Sequence, residues 1–223
     1  MSKLRNTIKR ITQPFLKTGL AYYYRKPRKY KYQDIEVLVH PDVFPPHLTL
    51  STKILLDFIV ELELQDKTFL ELGCGSGIIS LLASKKGATV TSTDINETAL
   101  KFLEKTSFQN DLKINIKKSN LFENIEGESF DFIVINPPYY PKKPKNVKEK
   151  AWFCGEDFEY FKNLFQQLPN YISTDNYVYM ILSEDCEINT ITTIASKNQL
   201  ILTPVFKTTK MGEENTIFQI TTT

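Results

Sequence analysis

The strongest constraint on how this chain can fold is alternation: from residue 67 onward, strand-like runs trade places with helical ones. KTFLEL (67–72), ATVTSTD (88–94), KINIKK (113–118), FDFIVI (130–135) and NYVYMIL (176–182) are rich in β-branched and aromatic residues and read as strands. Between them, GIISLLASKK, NETALKFLEKTSFQN, EDFEYFKNLFQQL (156–168) and the weaker DCEINTITTIASKN carry apolar residues at helical spacing. Asn96 stands where it can cap the second of these helices. Such alternation builds βαβ units and predicts an α/β fold, a doubly wound and mostly parallel sheet covered on both faces. LILTPVFK and NTIFQITT bring the strand count to seven. The residues joining that last pair are too few for a crossover, so the C-terminal strand runs antiparallel.

Upstream, TLSTKILLDFIVEL (49–62) reads as a helix and DIEVLVHPDV as a strand. The formal charge of +2 conceals an asymmetry. Residues 1–33 hold ten lysines and arginines and no acid, which leaves the other 190 residues at −8. We divide the chain into a basic arm, 1–33, and a domain, 34–223. In the arm, Leu4, Ile8, Ile11 and Phe15 recur at helical spacing, and AYYYRKPRKYKY interleaves tyrosines with cations. A basic arm on an acidic body points to a polyanionic partner. No run of 18 apolar residues occurs and the N-terminus lacks an apolar signal core, so a soluble, cytoplasmic protein is expected. Cys74, Cys154 and Cys186 are odd in number, far apart and outside metal-ligand spacing; neither a disulfide nor a bound metal is expected.

Ligands in doubly wound sheets bind beyond the carboxyl ends of the strands. The strand 67–72 ends in Glu71-Leu72-Gly73-Cys74-Gly75-Ser76-Gly77 before entering a helix. Glycines there admit positive φ and let a ligand press against the main chain. The next strand ends in Asp94, whose carboxylate can accept both hydroxyls of a ribose. The spacing is G-x-G-x-G, whereas dinucleotide sites use G-x-G-x-x-G for a pyrophosphate. A ligand with a ribose and no phosphate suits this corner better, which argues against a nicotinamide oxidoreductase.

E-L-G-C-G-S-G, T-D at the next strand end and N-P-P-Y (136–139) closing the fourth strand resemble class I S-adenosylmethionine-dependent methyltransferases. Closer still is the N-P-P-Y branch that methylates amide or amino nitrogens, in release factors or in bases of RNA and DNA. The resemblance covers about 45–223 and implies a Rossmann-like sheet of seven strands. It implies that S-adenosylmethionine is the cofactor, leaving as S-adenosylhomocysteine. Glu71, Gly73 and Gly75 would sit by its methionyl part, Asp94 on its ribose hydroxyls, and Cys74, Gly77 and Ile95 belong to the same implied cofactor-binding set. Asn120 falls where the family usually has an aspartate facing the adenine amino group; the Asn carbonyl can accept the same bond. Leu121 beside it, Asn136 and Thr52 complete the implied cofactor set.

An amide or exocyclic amino nitrogen is a poor nucleophile, because its lone pair is delocalised. Two fixed acceptors, aimed where its N–H bonds will point, favour the tetrahedral geometry and stabilise the developing positive charge. Asn136 can supply its side-chain carbonyl and Pro137 its backbone carbonyl, with the prolines holding both in place. Tyr139 offers a flat stacking face. Asn136, Pro137 and Tyr139 are therefore the candidate catalytic residues. No strong base is required, and His40 and His47, both upstream of the glycine corner, are expected to be structural or exposed.

The loop 140–155 is long for a sheet connection and suggests a lid or substrate loop. Tyr140 and Trp152 join Tyr139 as candidate substrate contacts, although Trp152 and Phe153 can equally pack the loop onto the sheet. Lys142, Lys143, Lys145, Lys148 and Lys150 can meet phosphates. The aromatic–Gly–acid segment after the loop resembles release-factor enzymes and supports protein glutamine as acceptor. Arm and lysines together tilt the expectation towards an RNA base amino group. A non-catalytic RNA- or protein-binding module on the same fold is the remaining alternative, and it would need neither the Asn136 corner nor the glycine loop.

Overall fold

The computed structural model describes residues 25–47 and 49–223. The helix expected over 2–16 lies outside them, as do the tyrosines at 22–24. The first element among the described residues is a hairpin of β1 (Arg28–Tyr32) and β2 (Ile35–Val39), paired antiparallel as a separate two-stranded sheet. This pairing straddles the boundary at 33 that charge alone suggested. In RKYKY the tyrosines turn inward and the lysines outward, which is the period of a strand.

Then follow α1 (Leu50–Val60), β3 (Thr68–Leu72), α2 (Ile78–Lys85), β4 (Thr89–Asp94), α3 (Glu97–Gln109), β5 (Ile114–Lys118) and β6 (Phe132–Ile135). The chain closes with α4 (Glu159–Gln167), β7 (Tyr177–Ser183), α5 (Ile188–Lys197), β8 (Leu200–Lys210) and β9 (Glu213–Thr222). The main sheet has seven strands in the order β5-β4-β3-β6-β7-β9-β8. All neighbouring pairs from β5 to β7 are parallel, and β9 runs antiparallel to both of its neighbours. The order reverses at β3, between β4 and β6, where a doubly wound sheet opens its ligand crevice. Pro204 is tolerated because β8 is an edge strand whose register shifts between Pro204 and Phe206.

Side chains along the central strands alternate between two cores. Phe69, Phe132, Val134, Tyr179 and Ile181 face a cluster containing the buried sides of α1, α2, α3 and the hairpin. Leu70, Ile133, Ile135, Val178 and Met180 face the cluster built on α4 and α5. The helix expected from residue 156 starts three residues later. Gly155 (φ 95°) and Phe158 (φ 59°) take left-handed backbone there, and the Cys154 carbonyl accepts the Tyr160 amide. Among the described residues, no helix is long and apolar enough to cross a membrane.

Candidate active site

The glycine corner folds back over the end of the neighbouring strand. The amides of Gly73 and Cys74 both donate to the Thr93 carbonyl, at 2.9 and 2.8 Å. Gly75, at φ 51°, donates its amide to Asp94 Oδ2 at 2.8 Å, and Asp94 Oδ1 accepts the Asn96 amide at 2.8 Å. Each carboxylate oxygen thus keeps lone-pair capacity for a second donor from the cavity that Asp94 lines. Burial raises the Asp94 pKa, against the lowering pull of the backbone amides of Asn96, Gly75 and Ile95. Gly77 has a different task. A Cβ there would sit 2.3 Å from Leu103 Cδ1, so this glycine lets α3 close on the corner.

Glu71 is buried on β3, where its Oε2 accepts the Ser80 amide at 2.8 Å and the Ser80 hydroxyl, itself bonded to the Ser92 hydroxyl. Burial pushes its carboxyl up to about 8, opposed by the Ser80 bonds and reinforced by the nearby Asp94. Burial also raises the Cys74 thiol, so it is no nucleophile.

On the far side, the turn after β5 is tied down by the Ser119 amide, which donates to the Asp94 carbonyl at 3.1 Å. Asn120 Nδ2 donates to Glu123 Oε1 at 2.7 Å, and Leu121 adopts φ 52°. At the end of β6, Asn136 Nδ2 donates to Thr52 Oγ1 at 3.3 Å, across from α1. That bond leaves Oδ1 as the amide atom turned away from Thr52. Pro137 is buried behind it.

One cavity joins these pieces. Its walls include Thr52, Glu71, Gly73, Cys74, Gly75, Asp94, Ile95, Asn120, Leu121, Asn136 and Pro137. Gly77, Tyr139, Tyr140 and Trp152 are not among its lining residues. Tyr139 and Tyr140 lie ring to ring at 4.6 Å, and Tyr139 is half-buried against the α4–α5 core. Trp152 packs on Phe44, with ring centroids 4.6 Å apart, and Phe44 lines the cavity. Lys148 pairs with Asp42 at 3.2 Å. These two contacts hold the loop 140–155 against the segment before α1, and Val147, Lys150 and Ala151 complete the wall on that side.

Tyr160 of α4 also lines the cavity, as does Pro138. Burial raises the Tyr160 pKa, with a smaller push from Asp94. Its sequence context is an amphipathic helix, and nothing in that pattern tells which inward position reaches a cleft instead of the core. His40 stands 5.0 Å from the Phe102 ring and His47 is stacked on Tyr30 at 5.9 Å; neither lines the cavity. Among the described residues, no group of three or more His, Cys, Asp or Glu is arranged to hold a metal ion.

The crevice at the reversal of strand order, with a glycine cradle on one strand end and an acid on the next, defines a Rossmann-like α/β fold, which a methyltransferase of Pyrococcus furiosus shares at TM-score 0.60 and 21% identity over 82% of this chain and 88% of that one. The profile described as "Methyltransferase small domain" matches residues 34–154. This chain belongs to that family. It is 33% identical over 157 residues to a candidate protein N5-glutamine methyltransferase of Methanocaldococcus jannaschii, covering 68% of this chain and 77% of that one. It is 37% identical over 164 residues to ribosomal RNA small subunit methyltransferase C of Haemophilus influenzae, covering 68% of this chain and 49% of that one. The chain therefore spans about half the length of this ribosomal RNA relative. The fold is shared with a 16S rRNA N2-guanosine methyltransferase of T. thermophilus, solved with AdoMet and guanosine, at TM-score 0.61 and 16% identity over 87% of this chain and 50% of that one.

Proposed function

We propose that this chain is an S-adenosylmethionine-dependent N-methyltransferase acting on a planar amino or amide nitrogen, with a base amino group of RNA as acceptor. One observation carries it: Asn136 shares a cavity with Gly73, Gly75 and Asp94. The donor set fits the cofactor. Asp94 retains acceptor capacity for ribose hydroxyls, Asn120 offers a carbonyl to an adenine amino group, and Glu71 offers a carboxylate to an ammonium. Bound there, S-adenosylmethionine supplies an electrophilic methyl group on a sulfonium sulfur.

The residues of the chain do the rest. Asn136 Oδ1 and the Pro137 carbonyl accept the two N–H bonds of the acceptor nitrogen and stabilise the positive charge that develops on it. The Thr52 hydroxyl holds the Asn136 amide, and two prolines fix the backbone, so little reorganisation remains. The methylated nitrogen is acidic enough to lose its proton to water, which removes the need for a histidine.

For the acceptor, Lys143, Lys145 and Lys150 stand in the loop beside the cavity, where Lys148 is paired with Asp42 and Lys142 lies over the Phe153 ring, and the arm adds further cations. Lysine clusters of this density meet phosphates. A second acceptor, protein glutamine, is favoured by the M. jannaschii relative, of which the match covers the larger share. Calorimetry tests the cofactor: S-adenosylmethionine should bind and NAD should not. Tritiated methyl donor, incubated with lysate from cells lacking the protein, should label RNA; label in protein overturns the RNA acceptor. Asn136→Ala should keep cofactor affinity and cut transfer by about 10²-fold or more.

A further inference from the structure

Asn120 is chemically ambiguous in a way an aspartate is not. Its amide carries an acceptor and a donor, and a half-turn about the last side-chain bond exchanges them. Facing the cavity with Oδ1, it selects a ring that presents an amino group; facing with Nδ2, it selects a ring that presents a carbonyl. The adenine and hypoxanthine rings differ in that group.

The structure resolves the ambiguity through the next turn of chain. Glu123 Oε1 accepts Asn120 Nδ2 at 2.7 Å, a charge-assisted bond that only the donor end of the amide can make. The backbone around the pair is braced. The Glu123 amide donates to the Asn120 carbonyl at 3.3 Å, Ser119 Oγ donates to the Leu121 carbonyl at 2.8 Å, and Asn124 Nδ2 donates to the Lys118 carbonyl at 2.7 Å. Leu121 is held at φ 52° inside this turn, a conformation unusual for a branched side chain. Asn120 and Glu123 are both exposed; of the two, Asn120 lines the cavity and Glu123 does not.

From this arrangement we infer that Glu123 is a positioning residue: it locks the Asn120 amide with its carbonyl towards the cavity and so sets selectivity for a 6-amino purine over a 6-oxo purine in the cofactor. The inference rests on the proposal that the cavity takes an adenosyl cofactor. Glu123 touches no ligand and acts only through Asn120.

The test compares S-adenosylhomocysteine with its deaminated counterpart, S-inosylhomocysteine, by calorimetry on the full chain. Wild type should prefer the adenosyl compound. Glu123→Ala should narrow that preference by about tenfold, through gained inosyl binding as well as weakened adenosyl binding, because the freed amide can turn. Glu123→Gln, whose amide oxygen can still accept from Asn120, should retain most of the preference. Asn120→Asp has no donor end, so adding Glu123→Ala to it should leave the preference unchanged. An unaltered ratio in Glu123→Ala, or an equal loss in the Asn120→Asp background, overturns the positioning role and leaves the cofactor assignment standing. Failure of wild type to bind either compound overturns the cofactor assignment instead.

Discussion

Thr52 Oγ1 lies 3.3 Å from Asn136 Nδ2, joining α1 to the end of β6. The two residues are 84 positions apart. Because one amide N–H is tied to Thr52, the Asn136 carbonyl is the end available to a substrate N–H in the proposed reaction. Thr49 Oγ1, 3.5 Å from Thr52 Oγ1, steadies the hydroxyl from the start of the same helix. Thr52→Val keeps the volume and removes the acceptor for Nδ2, so the Asn136 amide is free to turn. We expect kcat to fall by about tenfold, the scale of one hydrogen bond, with a smaller change in cofactor affinity. Thr52→Ser, which keeps the hydroxyl, should restore kcat; steady-state kinetics with both variants checks it.

How much of this is legible in the sequence depends on whether the cause is local. The glycine corner and Asp94 are legible, because a strand, a tight turn and a helix place them with almost no help from the rest of the chain. The Asn136 corner is legible for the same reason: two prolines dictate the exit from β6. Tyr139 and Tyr140 are expected at the substrate; their rings pack on each other and do not line the cavity, Tyr139 against the α4–α5 core and Tyr140 bridged to Phe153. Tyr160 is the converse, a cavity residue that is invisible in sequence. β1 is hidden in a run that reads as charge; Tyr30 and Tyr32 pack inward, and the Tyr32 hydroxyl donates to Asp57 at 2.9 Å.

Glu71 gives the site a pH dependence whose sign follows from its burial. Its carboxyl is raised to about 8 in the folded protein, with Asp94 the charged neighbour adding to the rise. A raised carboxyl stabilises the fold below the ordinary carboxylate range, and that contribution is lost as pH rises through about 8. Glu71→Gln mimics the neutral form, so the ligand-free wild type should lose melting temperature relative to it as pH rises from about 4.5 to about 8, with no further loss above that. Binding of a ligand bearing an ammonium should run the other way, strengthening towards pH 8 as the carboxylate forms. Calorimetry in buffers of different ionisation enthalpy should register proton release on binding below pH 8; no release would remove Glu71 from contact with the ligand cation.

Gly77 is set apart from Gly73 and Gly75 by what surrounds it. A methyl group at Gly77 would overlap the fully buried Leu103 side chain, and φ is +71°. Gly77→Ala should destabilise the protein by about 1–3 kcal/mol, the usual cost of overpacking. At Gly73 an added Cβ meets nothing within 4 Å, so only the left-handed backbone at +77° resists it. Gly73→Ala should therefore cost less stability than Gly77→Ala, about 1 kcal/mol, while weakening the cofactor by crowding the cavity it lines. Urea denaturation and calorimetry on the same two variants separate these effects.

The hairpin decides how the proposed RNA acceptor must be tested. Residues 28–32 pair with β2, whose Ile35, Val37 and Val39 lie in the core, so deleting the whole basic segment to residue 33 would remove a structural strand. Deletion of residues 1–24 spares β1 and still takes away Lys3, Arg5, Lys9, Arg10 and Lys17. A second variant replaces Lys143, Lys145 and Lys150 by Ala, three cations in the loop at the cavity. If both regions meet phosphates, each change weakens RNA binding and flattens its dependence on salt. The slope of log affinity against log salt should shrink by about 0.7 for each single-strand phosphate that is no longer neutralised. A protein-glutamine acceptor predicts neither effect, and equal slopes across wild type and both variants would end the RNA assignment.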